Sequence, residues 1–261
     1  MIRRQIAISS GKGGVGKSTV ASQLASALAL EGFRVGLCDL DIQGPSQATM
    51  MGLVELPEIE SRSEGEFLIP PVKHGVKVMS MGSLIEPDAA TVWRGPLLHQ
   101  TIQQFCGRVV WGDLDYLFYD LPPGTGDVQL SLAQTVSLTG TLLVTTPQDV
   151  SAQDVRKAFS MWATVKVPVL GVIENMSLFT CDGCGKNHDL FGAGAGSRLA
   201  DRFRTELLAQ IPFEPKLLKS LDEGVPWVVR EWNSPVSQVL VECARKLEKK
   251  LQILESPRCD S

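Results

Sequence analysis

The chain has 261 residues, 44% of them hydrophobic and 21% charged, with a formal net charge of −4. That length and apolar content can bury a sizeable core, and the ordinary composition excludes a disordered or fibrous chain. The acidic balance argues against a nucleic-acid surface, no apolar run reaches the ~18 residues of a membrane span, and the six cysteines read as thiols or metal ligands of a cytoplasmic protein.

Short apolar runs alternate with helical periodicities, the pattern of an α/β fold. Residues 4–10 (RQIAISS) predict a strand, 17–32 a helix closed by Gly32, and 34–41 (RVGLCDLD) the next strand. From Gly44 to Pro71 the Pro, Gly and Glu residues interrupt every periodicity, so the stretch reads as an excursion rather than a domain boundary. A strand at 76–82 and a helix at 96–110, with Pro96 in its first turn, come next. Buried strands at 114–124 and 140–147 flank the segment DVQLSLAQTVSL, followed by a helix at 150–165 and a strand at 167–176. A cysteine-bearing loop at about 176–192 leads to a helix near 195–203, a strand TELLAQIP and a last helix at roughly 233–254. Strands joined by helices imply right-handed crossovers and a doubly wound, mostly parallel sheet with helices on both faces. The expected organisation is one domain over 1–254 and a polar tail at 255–261.

Between the first strand and the first helix the chain reads SGKGGVGKST. Gly11, Gly16, Lys17 and Ser18 fit G-x-x-x-x-G-K-[ST] without a gap, in the strand–loop–helix context that the motif requires. Such glycines turn backbone N–H groups inward around phosphate oxygens, and the following helix adds its dipole. The expected nucleotide cradle is therefore Gly11, Lys12, Gly13, Gly14, Val15, Gly16, Lys17, Ser18 and Thr19. Lys17 is suited to neutralise the β- and γ-phosphates of ATP, and Ser18 to coordinate Mg²⁺. Two strand ends add carboxylates: Asp120 closes YLFYD, and Asp39 and Asp41 close CDLD. Ligands of doubly wound sheets bind beyond the carboxyl ends of the strands, so the three can share one crevice. Asp120 is expected to hold Mg²⁺ through water, and Asp39 to support the metal or the adjoining loop; simple capping of strand-end turns is the alternative. LPPGTGDVQ after Asp120 has the Pro and Gly content of a switch segment that senses a γ-phosphate.

FTCDGCGKNHDLF, residues 179–191, carries Cys181 and Cys184 as a Cys-x-x-Cys pair. Zinc takes four ligands and a cubane cluster usually takes four cysteines, so one pair is half a site. Two such pairs, one from each of two chains, would supply four thiolates. Four sulfurs suit a bridging [4Fe–4S] cluster and equally suit zinc. His188 completes C-x-x-C-x-x-x-H and offers a zinc site with a third ligand from the same chain; a redox dithiol or an inert turn is a further alternative. Cys38, Cys106 and Cys243 are isolated and read as small core residues, Cys259 as exposed in the tail, and Trp93 and Trp111 as packing residues. His74 and His99 have no partner that the sequence reveals.

KGGVGKST, with Lys12 ahead of the paired glycines, resembles the deviant phosphate loop of the MinD/ParA/nitrogenase-iron-protein class. That resemblance implies that Lys12 reaches across a nucleotide-sandwich dimer to the partner's phosphates, as an arginine finger does, and that Asp41 orients or activates the attacking water. DLDIQGPS, VWRGP, WGDLDYLFYDLPPGTGD, TTPQDVSAQDVRKA, GVIENMS with its following Cys-x-x-Cys, and IPFEP occur in one order. Together they resemble the Mrp/ApbC-type iron–sulfur carrier ATPases, from Ile6 to about Leu254. The resemblance implies a homodimer that binds and slowly hydrolyses ATP, holds a bridging [4Fe–4S] cluster and passes it to apo iron–sulfur proteins. It also implies that Asn175 of ENMS and Pro212 of IPFEP lie near the adenine. Some relatives carry an N-terminal extension with further cysteines or a small N-terminal domain; here the first strand begins almost at Met1, so no second cluster site is expected.

Two rivals share parts of this pattern. A MinD/ParA-type positioning ATPase switch whose Cys-x-x-Cys binds structural zinc needs a basic amphipathic C-terminal helix to reach a membrane, or a basic face for DNA. Val236, Val239, Leu240, Cys243, Leu247, Leu251 and Leu254 fall at helical spacing and read instead as a terminal helix packed on the domain. A nitrogenase-like reductase needs a cluster cysteine near the second switch, and DLPPGTGD has none.

Overall fold

The computed structural model describes residues 1–42, 44–84 and 95–256. The first half of the chain runs β1 (Ile2–Ser10), α1 (Lys17–Leu30), β2 (Val35–Asp39), α2 (Gln47–Met50), β3 (Glu58–Arg62), β4 (Gly65–Ile69), β5 (Val72–Lys73), β6 (Val76–Ser80), α3 (Gly95–Arg108) and β7 (Leu114–Asp120). The second half runs α4 (Asp127–Thr135), β8 (Gly140–Thr145), α5 (Asp149–Thr164), β9 (Val169–Asn175), β10 (Phe179–Thr180), β11 (Asn187–His188), α6 (Ala195–Phe203), β12 (Leu207–Ile211), α7 (Pro215–Asp222), α8 (Trp227–Arg230) and α9 (Pro235–Glu255).

Eight strands form one sheet in the order β12-β9-β8-β1-β7-β2-β6-β5. Every pairing is parallel except the edge pair β5–β6. The central strands are rich in apolar residues because both their faces are covered. Alternate residues therefore feed two cores. Ile6, Ile8, Leu37 and Phe118 face α1, α7, α8 and α9; Ala7, Cys38, Leu117 and Tyr119 face α3, α4, α5 and α6. Trp111, Cys38 and Cys243 are buried within these cores, as small or packing residues. Trp93 and Cys259 lie outside the described residues.

The register sets up the site. Asp120 at the end of β7 pairs with Ile8 of β1 on one side and Asp39 of β2 on the other, and Asp39 in turn pairs with Ser80 of β6. The phosphate loop leaves β1 at that same level. Three chain segments distant in sequence thus release their functional residues onto one edge.

The terminal helix packs as its periodicity implies. Ser234 accepts the Ser237 amide at 3.2 Å and Pro235 occupies the first turn, a strong N-terminal signal. Val236, Leu240, Cys243, Leu247 and Leu251 are buried, whereas Leu254 is exposed past the end of the stripe. No described helix is long and apolar enough to cross a membrane.

The excursion contains structure that periodicity does not announce. β3 and β4 pair antiparallel, yet every residue of β3 is exposed. Their ladder is carried by backbone bonds and by Phe67, whose ring lies 4.7 Å from the Arg62 guanidinium and 5.9 Å from that of Arg108. With no buried face there is no apolar alternation to read.

Candidate functional site

The phosphate loop is built where a β-carbon has no room or no allowed conformation. Gly14 and Gly16 have φ of +77° and +78°, in the left-handed region that glycine enters at no steric cost. At Gly11 a β-carbon would collide with the Asp154 backbone of α5. Ser10 donates its hydroxyl to the Lys12 carbonyl at 2.9 Å, tightening the entry of the loop. Lys12, Gly13, Gly14, Val15, Gly16, Lys17, Ser18 and Thr19 line one cleft together with Asp41, Ser46, Met50 and Pro123. The Lys12 ammonium donates to Gln148 Oε1 of the same chain at 3.0 Å.

Lys17 is 6% exposed and its ammonium donates to Asp120 Oδ1. Gln47 Nε2 donates to the other oxygen, Asp120 Oδ2, at 2.7 Å. Both oxygens of that buried carboxylate are thereby held, as burial without water requires. Asp39 accepts the Asp41 amide on Oδ1 at 3.0 Å. Its Oδ2 accepts the Ser46 amide at 3.0 Å, the Gln47 amide at 3.1 Å and the Ser80 hydroxyl at 3.1 Å. Asp39 therefore ties the loop from Asp41 to α2 onto β6. Burial and the neighbouring Asp120 raise its carboxyl to about 7, against the opposing pull of the Gln47, Asp41 and Ser46 amides. Asp41 sits on the cleft wall, its Oδ1 accepting the Gly44 amide at 3.1 Å. Gln47 and Gln148 escape sequence reasoning: Gln47 reaches Asp120 only through the β2–β7 register, and Gln148 reaches Lys12 only across the β8–β1 pairing.

A second hollow adjoins the first through Thr19. It is lined by Gln23, Asn175, Met176, Pro212, Phe213 and Leu217, among others, and brings the sequence-expected Asn175 and Pro212 together beside α1. Asn175 Nδ2 donates to the Val15 carbonyl at 2.9 Å, so the end of β9 is bonded directly to the phosphate loop. Met176 then turns with φ +57°, redirecting the chain out of the sheet.

That turn launches the cysteine loop. Its start is held by Ser177 N donating to the Ile211 carbonyl at 2.9 Å and Phe213 N donating to the Leu178 carbonyl at 2.7 Å. Its return is held by Glu174, which accepts the Gly196 amide at 2.6 Å and Gln210 Nε2 at 2.7 Å. The short β10–β11 ladder presents Cys181 and Cys184 at its tip, half-buried and exposed respectively. Amides of Cys184 and Gly183 point at the Cys181 sulfur and lower its pKa, favouring the thiolate that binds metals. On β11, His188 is set opposite Phe179, ring centroids 6.4 Å apart. Among the described residues no group of three or more His, Cys, Asp or Glu side chains gathers to hold a metal ion. The Phe179 ring also lies 6.2 Å from that of Phe213, at the rim of the second hollow.

The chain is similar to known proteins. The ParA family model described as NUBPL iron-transfer P-loop NTPase matches residues 1–248. A protein of Pseudomonas fragi named iron-sulfur cluster carrier protein is 45% identical, over 93% of this chain and 84% of its own. A namesake from Synechocystis is 46% identical over 97% of this chain and 72% of its own. Among solved structures, a nucleotide-binding protein from Archaeoglobus fulgidus in complex with ADP is 40% identical, with a TM-score of 0.76 and 91% of each chain covered. The septum site-determining protein MinD of Pyrococcus horikoshii, complexed with Mg-ADP, is 21% identical with a TM-score of 0.69, covering 97% of this chain and 98% of its own, a likeness of fold. With a phosphate loop, strand-end carboxylates and an adjoining hollow in one place, this chain is a P-loop ATPase and belongs to the ParA-type NUBPL iron-transfer P-loop NTPase family.

Proposed function

We propose that the protein is a homodimeric ATPase that carries a [4Fe–4S] cluster between its two Cys181/Cys184 pairs and delivers it to apo iron–sulfur proteins. The observation that carries this reading is the placement of the thiol pair: it springs from the strand end that lines the nucleotide hollow, and it is open to a second copy of the chain. The names of the iron-sulfur cluster carrier relatives support it.

In this reading Lys17 leaves Asp120 for the β- and γ-phosphates, while the loop amides from Gly13 to Thr19 surround the phosphate oxygens. Asn175 and Pro212 bracket the adenine. The Ser18 hydroxyl and the freed Asp120 oxygen make the all-oxygen donor set that a hard cation takes, and they fit Mg²⁺. When bound, Mg²⁺ neutralises charge on the β- and γ-phosphoryl oxygens. Asp39 holds the loop so that Asp41 stays on the cleft wall, where it orients water toward the γ-phosphate. Lys12 exchanges Gln148 for the partner's phosphates. Movement at Asn175 and Phe213 passes through the backbone bonds and the Phe213–Phe179 contact to the cysteine loop.

Anaerobic reconstitution with iron and sulfide tests the reading, on wild type and on the Cys181→Ser/Cys184→Ser double variant. The expected result is about four iron and four sulfide per dimer, with a visible chromophore that the double variant lacks. Zinc alone at the same thiolates, with no iron chromophore under any nucleotide, would overturn it and favour the positioning switch.

A further inference from the structure

Gln47 is a buried amide with one end fully used and the other idle. It is 0% exposed. Its Nε2 donates to the Ser18 carbonyl at 2.9 Å and to Asp120 Oδ2 at 2.7 Å, and its own backbone N–H donates to Asp39 Oδ2 at 3.1 Å. Its Oε1 is sealed from solvent and has no hydrogen-bond partner among the described residues. The amide orientation follows from the network rather than from choice, because a flipped amide would set its oxygen against two acceptors. A buried acceptor left unmade costs about 1–3 kcal/mol. An apolar side chain of the same size would avoid that cost, so the carbonyl oxygen calls for a donor that arrives with a ligand.

We propose that Gln47 is a positioning residue for the divalent cation of the nucleotide site. It pins Asp120 to the phosphate loop through Nε2 and offers Oε1 to a water in the cation's hydration shell. This rests on the nucleotide-site assignment of Ser18 and Asp120 given above. The chemistry is specific. Asp39 and Asp120 repel an anion at this spot, no described protein donor reaches Oε1, and a small hard cation keeps several of its waters, each a strong donor. When Lys17 moves to the phosphates, Gln47 is the group that keeps Asp120 from rotating away. The amide thus fixes the carboxylate plane while staying uncharged between two acids.

The test uses Mn²⁺ as the probe, titrated by electron paramagnetic resonance into full-length protein with a non-hydrolysable ATP analogue. Fluorescent ADP binding in EDTA and thermal melting run alongside. Gln47→Leu is expected to weaken Mn²⁺ about tenfold, the equivalent of one good hydrogen bond, while ADP binding in EDTA is retained. Gln47→Met, which keeps the side chain's length without its amide, is expected to weaken Mn²⁺ as Gln47→Leu does. Weaker Mn²⁺ in both variants, with ADP binding in EDTA retained, supports the proposal, because a packing role would spare the Met variant. Equal Mn²⁺ affinity in all three, with ADP binding intact, overturns it and leaves Gln47 as filler. Wild type that binds the analogue but no Mn²⁺ overturns both this proposal and the metal assignment of Ser18 and Asp120. If Gln47→Leu does not fold, an unaltered Mn²⁺ affinity in Gln47→Met overturns the proposal on its own.

Discussion

Two carboxylates, Asp39 and Asp120, are buried side by side; the Lys17 ammonium pairs with Asp120, and Asp39 bears the imbalance. Its carboxyl is raised to about 7, chiefly by burial and then by Asp120, whereas an unfolded Asp titrates near ~3.9. Between those values the native state binds more protons than the unfolded state, so this group's contribution is full below about pH 4 and is lost as pH rises towards 7. The protein is therefore expected to lose stability over that window in urea melts without nucleotide. Asp39→Asn should flatten the loss and lower overall stability by about 1–3 kcal/mol, because an amide cannot accept all four donors now served. An unchanged slope in Asp39→Asn would assign the pH dependence elsewhere. At this scale the phosphate loop was legible from Gly11 to Thr19 because its chemistry is written in contiguous residues. Asp39 was legible as a strand-end acid, but its four donors were not, since Ser80 reaches it only through β2–β6 pairing. The same blindness hid Gln47 and Gln148.

Among the elements, α9 shows how a helix can be legible in its stripe and illegible in its anchor. The stripe from Val236 to Leu251 follows from spacing alone. The anchor is Arg4 of β1, 1% exposed, whose Nε donates to Glu255 Oε1 at 2.7 Å and Nη2 to Glu255 Oε2 at 3.0 Å, while Nη1 donates to Glu248 and the Tyr116 hydroxyl. Nothing in RRQIAISS announces a buried arginine, because the partners lie at the far end of the chain. The Arg4 hydrogen bonds draw the Glu255 carboxyl down to about 2 against some opposing burial. A lowered folded-state value gives stability that is present above the unfolded glutamate value near ~4.3 and is lost as pH falls towards 2. Arg4→Met is expected to cost about 2–3 kcal/mol near neutral pH, below the range for fully buried pairs because the glutamates are partly solvated. It should also remove most of the acid-side loss, and hydrogen exchange in the last turns of α9 should quicken. A variant with wild-type acid sensitivity would show that α9 is held by its apolar face alone. The β3–β4 hairpin is the opposite case: a wholly exposed β3 against a part-buried β4 leaves no pattern, so only the structure reveals them.

At the scale of the whole molecule the doubly wound sheet was readable, because alternating strands and helices leave few topologies once crossovers are right-handed. The partner copy was not readable in the same physical sense, since one chain's sequence shows the half-site of Cys181 and Cys184 but not its mate. Lys12 supplies a way to test that mate. Within one chain it is bonded to Gln148, away from Lys17 and Asp120, and a role on the partner's phosphates requires it to leave. Lys12→Ala keeps Lys17 and the loop amides, so fluorescent ADP should bind one chain with near wild-type affinity. The same variant should fail to dimerise with a non-hydrolysable ATP analogue in sedimentation velocity, and its ATPase should fall by at least about a hundredfold, toward the effect of losing a charge donated in trans. Gln148→Ala removes the internal partner without touching the phosphates, and should dimerise at a lower protein concentration than wild type. These opposite shifts follow only if Lys12 has two alternative partners. Dimerisation of Lys12→Ala at wild-type concentration would remove the trans role.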